Sequence, residues 1–143
     1  MKGIQKLLAL LLFSVVSLTA CQKSDDNSNA NSNTSTPAAG TWKVSYFFDK
    51  QDKTSNYSNY TFEFGANGSL TASNGSQSWS GSWATGVDDS GNKFVINLGG
   101  TLPSTLEDLV EDWHIVKMDG STMHFEHTSG GNGDTRVLKF IKI

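Results

Sequence analysis

The chain has 143 residues and a formal charge of -3, from 11 basic and 14 acidic side chains, and it contains a single cysteine. A mildly acidic balance carries no basic footprint, which excludes nucleic-acid binding from the expectations. The lone cysteine excludes an intrachain disulfide framework, and the length allows one domain of ordinary size.

The first element is apolar. Lys2 and Lys6 precede Leu7 to Leu18, an apolar run of 12 residues broken only by Ser14 and Ser17. A positive start followed by a short apolar stretch is the layout of a signal peptide. A spanning helix needs about 20 apolar residues, so this run is too short to cross a bilayer. Leu18-Thr19-Ala20-Cys21 closes it and resembles the lipobox of bacterial lipoproteins: a Leu, a small or polar residue, a small residue, then Cys. The resemblance implies that residues 1–20 are removed and that the Cys21 thiol is diacylated. With about 0.8 kcal/mol per buried methylene, two or three acyl chains hold a protein on a membrane in effect permanently. The implied location is the outer membrane, facing the periplasm or the cell surface, with the membrane as a partner through Cys21.

Without residues 1–20 the chain keeps 123 residues, with 9 basic and 14 acidic side chains and a formal charge of -5. Cys21 to Ala39 is expected to be a tether. Gln22 to Ala39 reads QKSDDNSNANSNTSTPAA, with no apolar period and nothing to bury that would offset the entropy of ordering it. As a flexible coil it has an end-to-end distance of roughly 23 Å. Its start, Gln-Lys-Ser-Asp-Asp, is similar to the lysine-plus-acidic export signal of surface lipoproteins in Bacteroidetes-type bacteria, with Ser24 interrupting the usual adjacency.

The folded domain is expected over residues 40–143. Trp42, Val44, Tyr46 and Phe48 alternate with polar residues, the period of a half-buried strand. A polar loop follows from Asp49 to Asn59. Tyr60 to Phe64 alternates again, Asn67-Gly68 supplies a tight turn, and a short strand surrounds Leu70 and Ala72. After Asn74-Gly75 comes Gln77 to Thr85, with Trp79, Gly81 and Trp83 on one face. Gly81 is expected to let a ring from a neighbouring strand lie across the backbone. Asp88 to Asn92 reads as a turn and Lys93 to Leu98 as a strand with Phe94, Ile96 and Leu98 inward.

The period then changes. Ser104 followed by Glu107 has the spacing of a capping box, and Leu106, Leu109, Val110 and Trp113 have helical spacing, which predicts one helix over Ser104 to Glu111. Trp113 to Met118, Thr122 to Thr128 and Thr135 to Ile143 are the last three strands. Eight strands joined mostly by short turns predict an up-and-down antiparallel sheet that closes into a barrel and so removes its edges, with the helix between the fifth and sixth strands.

Several motifs carry a family resemblance: Gly40-Thr41-Trp42, Gly81-Ser82-Trp83, the Leu106, Leu109 and Trp113 series, and the terminal Leu138, Phe140 and Lys142. In this order they resemble the short lipocalin-like domains of Bacteroidetes lipoproteins; typical lipocalins are longer and keep a helix after the eighth strand. The resemblance implies a non-enzymatic, monomeric binding protein without a cofactor, whose barrel takes a small apolar ligand. One face per strand gives an interior of Trp42, Val44, Tyr46, Phe48, Phe62, Phe64, Leu70, Trp79, Trp83, Phe94, Ile96, Leu98, Ile115, Phe125, Leu138 and Phe140. The ligand-binding candidates among them are Trp42, Tyr46, Phe62, Trp79, Trp83, Phe94, Phe125 and Phe140. An eight-stranded barrel is only just wide enough for side chains or one small ligand, so the rings predict a mostly filled core and a shallow pocket near one rim. The alternative is a filled barrel whose loops contact an envelope protein, glycan or protease.

Neither catalysis nor a metal is expected. No serine lies in a Gly-x-Ser-x-Gly elbow. His124 and His127 fall on opposite strand faces, and Glu107, Asp108, Glu111 and Asp112 read as a solvated helix surface. Asp88 to Asn92 has calcium-loop composition without the 12-residue frame or closing Glu, so a hairpin turn is the simpler reading.

Overall fold

The computed structural model describes residues 36–131 and 133–143. The expected signal peptide, Cys21 and the part of the expected tether before residue 36 lie outside the described residues. From Thr41 onward the chain forms β1 (Thr41–Asp49), β2 (Gln51–Asp52), a 3-10 turn (Thr54–Tyr57), β3 (Thr61–Phe64), β4 (Ser69–Ser73), β5 (Ser78–Asp88), β6 (Gly91–Leu98), α1 (Ser104–Glu107), β7 (Glu111–Met118), β8 (Thr122–Thr128) and β9 (Thr135–Lys142).

Every neighbouring pair is antiparallel, and β1 also pairs with β9, Trp42 opposite Lys142 and Phe47 opposite Leu138. The result is a closed eight-stranded barrel. β2 is a two-residue extension that turns back on the end of β1. As expected, α1 falls between the fifth and sixth barrel strands. Closure gives each barrel strand a neighbour on both sides, although β1 meets β3 only through Thr41 and Trp42.

The two ends differ. At one end the strands are joined by tight turns, Gly65 to Gly68, Asp89 to Ser90 and Asp119 to Ser121. Positive φ at Gly68 (83°) provides the backbone reversal there. The Asp88 carboxylate accepts from the Ser90 amide at 2.8 Å, closing the β5–β6 turn. The other end carries the three longer connections, residues 50–60, residues 99–110 with α1 and the link from β8 to β9, together with the short turn at Asn74 to Gln77. We call this second end the mouth.

Alternation places the core as read for most strands, and two irregularities alter it. The β1–β9 register shifts between Val44 and Tyr46. The bulge at Ser45 turns Phe47 into the core with no exposed surface and puts Tyr46 and Phe48, expected inside, in half-buried positions. Tyr46 lies under the Lys139 ammonium, 5.6 Å from its ring centre, and Lys139 flanks the inward Leu138 and Phe140. The second shift lies between Ile115 and Lys117, which brings Met118 inward and leaves Ile115 packed against the edge of the core.

Gly81 also differs from expectation. A Cβ built there would stand 2.0 Å from the Asn97 carbonyl oxygen and 2.8 Å from Leu98 Cα. The neighbour that needs the missing side chain is the β6 backbone, not a ring.

The helix is shorter than predicted. It stops at Glu107, its N-cap is Pro103, and no side chain caps it, so the Ser104–Glu107 capping box does not form. Leu106 and Leu109 are nonetheless fully buried. Their burial fixes this loop over part of the mouth, and Glu111 and Asp112 become the first residues of β7.

Candidate functional site

The interior is occupied by rings touching rings. Phe94 stacks on Phe125 with centroids 4.7 Å apart and on Trp83 at 5.4 Å. Phe62 and Phe64 meet Phe140 edge-on at 5.2 and 5.5 Å. Trp42 closes the tight-turn end, with no exposed surface and its Nε1 donating to the Ala38 carbonyl at 3.0 Å. Trp83 donates to the Gly65 carbonyl at 2.8 Å. Six of the eight candidate ligand-binding residues, Trp42, Phe62, Trp83, Phe94, Phe125 and Phe140, are therefore core residues whose surfaces are spent on one another. Tyr46, the seventh, is on the outer side of the bulge.

Trp79 is the eighth, and it alone among them is both on the inward face of its strand and open to solvent. It sits at the mouth because β5 begins only at Ser78, with Trp79 opposite Ala72 in the ladder. Tyr60, one residue before β3, continues the inward face of Phe62 and Phe64 past the last ladder pair. Its ring stacks on Phe62 at 6.5 Å and lies 6.1 Å from that of Trp79. The aromatic lining of the barrel thus surfaces at the mouth as two half-buried rings.

Around them is a depression of about 330 Å³ lined by Tyr60, Asn74, Gln77, Trp79, Thr101, Leu102 and Pro103. The Trp79 Nε1 donates to the Thr101 carbonyl at 3.2 Å, which fixes the ring against the β6–β7 loop. Asn74 Oδ1 accepts from the amides of Ser76 and Gln77 at 3.1 and 2.9 Å, which holds the turn and leaves its NH₂ group free to donate. No residue of the depression carries a charge at neutral pH.

The rest of the mouth is sealed. The 3-10 turn inserts Tyr57, 1% exposed, against Phe47 at 5.1 Å, and its hydroxyl donates to the Thr105 carbonyl at 2.8 Å. Burial pushes the Tyr57 phenol well above its ordinary range, so it remains a neutral donor. Trp113 donates to the Leu109 carbonyl at 3.0 Å and completes the seal.

Charged side chains ring this seal. Lys53 bonds the Asp49 carboxylate at 2.7 Å and reaches Asp108 at 3.4 Å. The Lys53 hydrogen bond holds the Asp49 carboxyl below the usual carboxylate range. Arg136 pairs with Glu111, donates to the Asp108 carbonyl at 3.3 Å and lies over the Trp113 ring at 5.3 Å.

Glu111, Asp112 and His127 offer ligand atoms within 4.8 Å of one another. This grouping was hidden from the sequence, where the acids read as helix surface and no carboxylate was assigned to a histidine. A metal ion there would have to displace cations already in place. Arg136 occupies the Glu111 carboxylate, and Lys93 stands 3.7 Å from Asp112. The donor set fits a charge-balanced rim better than a metal centre. His114 and His124 are elsewhere on the wall, each with a buried ring nitrogen lacking a hydrogen bond.

Tyr60 lines the depression and was absent from the site expectations. The signal was its same-face spacing from Phe62 and Phe64, read as strand pattern and not carried to the rim. Asn74 was read only as a turn residue and Gln77 only as the start of the strand Gln77 to Thr85.

Fold and site together define a closed antiparallel barrel with a filled interior and a shallow aromatic depression at one end. No family model and no curated protein matches the sequence. Among solved structures, a DUF4847 family protein from Bacteroides vulgatus is similar, at 18% identity over 73% of this chain and 92% of that one, with a TM-score of 0.49.

Proposed function

We propose that this is a lipid-anchored envelope binding protein, acting without catalysis, that takes its ligand at the mouth of the barrel and not inside it. The observation that carries the reading is the contrast between Trp79 and the other interior candidates. Trp79 and Tyr60 border an open depression, whereas Phe94 and Phe125 are pressed together at 4.7 Å. A ligand inside would have to part those stacked rings, and cores resist such overpacking at a cost of about 1 to 3 kcal/mol. The anchor is assigned to Cys21 on the lipobox, and the location to the outer membrane on the same ground. The charged ring of Asp49, Lys53, Asp108, Glu111 and Arg136 favours a second contact of the same end with a protein surface, since charged rims steer and register partners.

The test is titration followed by tryptophan emission, comparing wild type with Trp79→Phe. Fatty acids, sterols, a naphthalene-sulfonate dye and neutral sugars cover the apolar and polar classes. A saturable response that disappears in Trp79→Phe is expected from at least one class. A response that survives in Trp79→Phe would put the ligand elsewhere, and no response from any class would leave the protein-contact reading in front.

A further inference from the structure

We infer that the depression at the mouth is a subsite for a neutral glycan, with one sugar ring lying against Trp79 and Tyr60 and its hydroxyls held by the surrounding amides. The inference rests on the mouth-binding reading and adds the ligand's chemical class.

Three observations point to a sugar. The first is the pairing of two half-buried rings, 6.1 Å apart and inclined at 39°, at the surface of a soluble face. A pyranose presents an apolar C–H face that covers such rings, while its hydroxyls stay at the edge. The second is the set of polar groups left over. The Tyr60 hydroxyl, the Asn74 NH₂ and the Gln77 side-chain amide line the depression, and no hydrogen bond satisfies them among the described residues. They offer donors and acceptors in the mixture that hydroxyl groups need. A purely apolar ligand would strip water from these groups and return nothing to them.

The third observation is electrostatic. The depression is lined only by neutral residues, whereas Asp49, Lys50, Glu111, Asp134 and Arg136 line a separate part of the mouth. An anionic lipid headgroup or fatty-acid carboxylate would find no counter-charge in it. Its volume of about 330 Å³ is at the lower edge of the roughly 300–1,000 Å³ typical of small-molecule sites. That suits one unit or one end of a glycan, with the remainder extending into solvent over Gln77. The rigidity is also appropriate: Trp79 is tied to Thr101 and Asn74 to its own turn, so little ordering is left to be done on binding.

The experiment uses the full chain in phosphatidylcholine nanodiscs, free of sugar-headed detergent, with fluorotryptophan at its four tryptophans. Fluorine NMR follows each ring, and Trp79→Phe identifies the Trp79 signal. The probes are soluble oligosaccharides of glucose, mannose, xylose and N-acetylglucosamine, with a naphthalene-sulfonate dye as the apolar arm. A saturable shift of the Trp79 signal by at least one oligosaccharide is expected, with the Trp42 signal unmoved. Gln77→Ala changes an exposed side chain outside the core, so it leaves the fold intact, and it should weaken that binding about tenfold, the loss of roughly one hydrogen bond at 1.4 kcal/mol per factor of ten. If the dye moves the Trp79 signal and no sugar does, the ligand class is wrong while the mouth remains the site. If nothing moves it, the mouth reading falls with the inference. Sugar binding undiminished by both Gln77→Ala and Trp79→Ala would also overturn it.

Discussion

Phe94 and Phe125 lie face to face, their ring centres 4.7 Å apart and their planes 12° from parallel, although they come from β6 and β8 with β7 between those strands. Both are fully buried, so the stack fills space that a ligand-carrying barrel would keep open. Phe125→Ala should cost about 3 to 5 kcal/mol, through lost transfer energy and a cavity bounded by Phe94 and Phe140. Urea unfolding measures it. A loss under about 1 kcal/mol would mean that the interior is loosely filled and has room for a guest.

Trp42 should be as costly to remove, for a different reason. Its ring is fully buried at the tight-turn end, and its Nε1 gives the Ala38 carbonyl a partner. Trp42→Ala should lose about 3 to 5 kcal/mol. Trp42→Phe keeps most of the apolar area and gives up the hydrogen bond, so it should lose clearly less. Equal losses in the two variants would show that the Ala38 contact dominates over packing.

Gly81→Ala adds one methyl group where the Asn97 carbonyl oxygen stands 2.0 Å away. No side chain can swing aside, because the obstruction is backbone of the paired strand. β5 and β6 must separate locally, at about 2 to 3 kcal/mol. The measurement is the urea midpoint, with Gly86→Ala as control, since a Cβ at Gly86 meets nothing within 4 Å. Equal midpoints for the two variants would refute the close approach.

His124 should make the stability of the fold depend on pH. Burial, with Lys139 opposite it in the ladder, pushes its imidazolium below the ordinary histidine range, and Glu126 at 3.5 Å only partly opposes this. That distance leaves Nε2 without a hydrogen bond, so only the Glu126 charge favours the protonated ring, and it does not outweigh burial. A histidine whose folded pKa is lowered leaves the unfolded chain holding more protons. Its contribution is present above about pH 6.5 and is lost as the pH falls toward the folded value. Unfolding free energies from pH 7.5 to 5 should therefore decline more steeply in wild type than in His124→Leu. Parallel profiles would contradict the assignment.

The anchor is tested at Cys21, the single cysteine. Metabolic labelling with a radioactive fatty acid should mark the wild-type chain and not Cys21→Ala, which should fractionate away from membranes. Label retained by the variant would rule out the lipobox.

Strand positions, the closed barrel and the place of the helix were legible because period-2 alternation and Asn-Gly turns are local signals. What was not legible came from pairing. The Ser45 bulge exchanged Tyr46 for Phe47 because the ladder with β9, about a hundred residues away, sets which face of β1 is inside. Tyr57 sat in a polar loop with no period to announce it and was recruited by Phe47 and the Thr105 carbonyl. Of the site, Trp79 was named from its strand face. Tyr60, Asn74 and Gln77 became its neighbours only through the register of β3, β4 and β5, in which Thr61 faces Ser73 and Ser73 faces Ser78.

The pairing of β1 with β9 also has a kinetic consequence. Trp42 meets Lys142 and Val44 meets Phe140, so the first strand waits for the last before either has both neighbours. Topologies dominated by such distant contacts fold slowly, in milliseconds to seconds, because the loop must close before the contacts repay it. Until β9 arrives, β1 and β8 each present a bare edge beside apolar rings, the condition under which chains pair with one another instead of with themselves. Removing Thr135 to Ile143 should thus yield an aggregating chain and not a smaller barrel, and a chaperone that holds β1 open would serve this fold better than one that hastens its collapse.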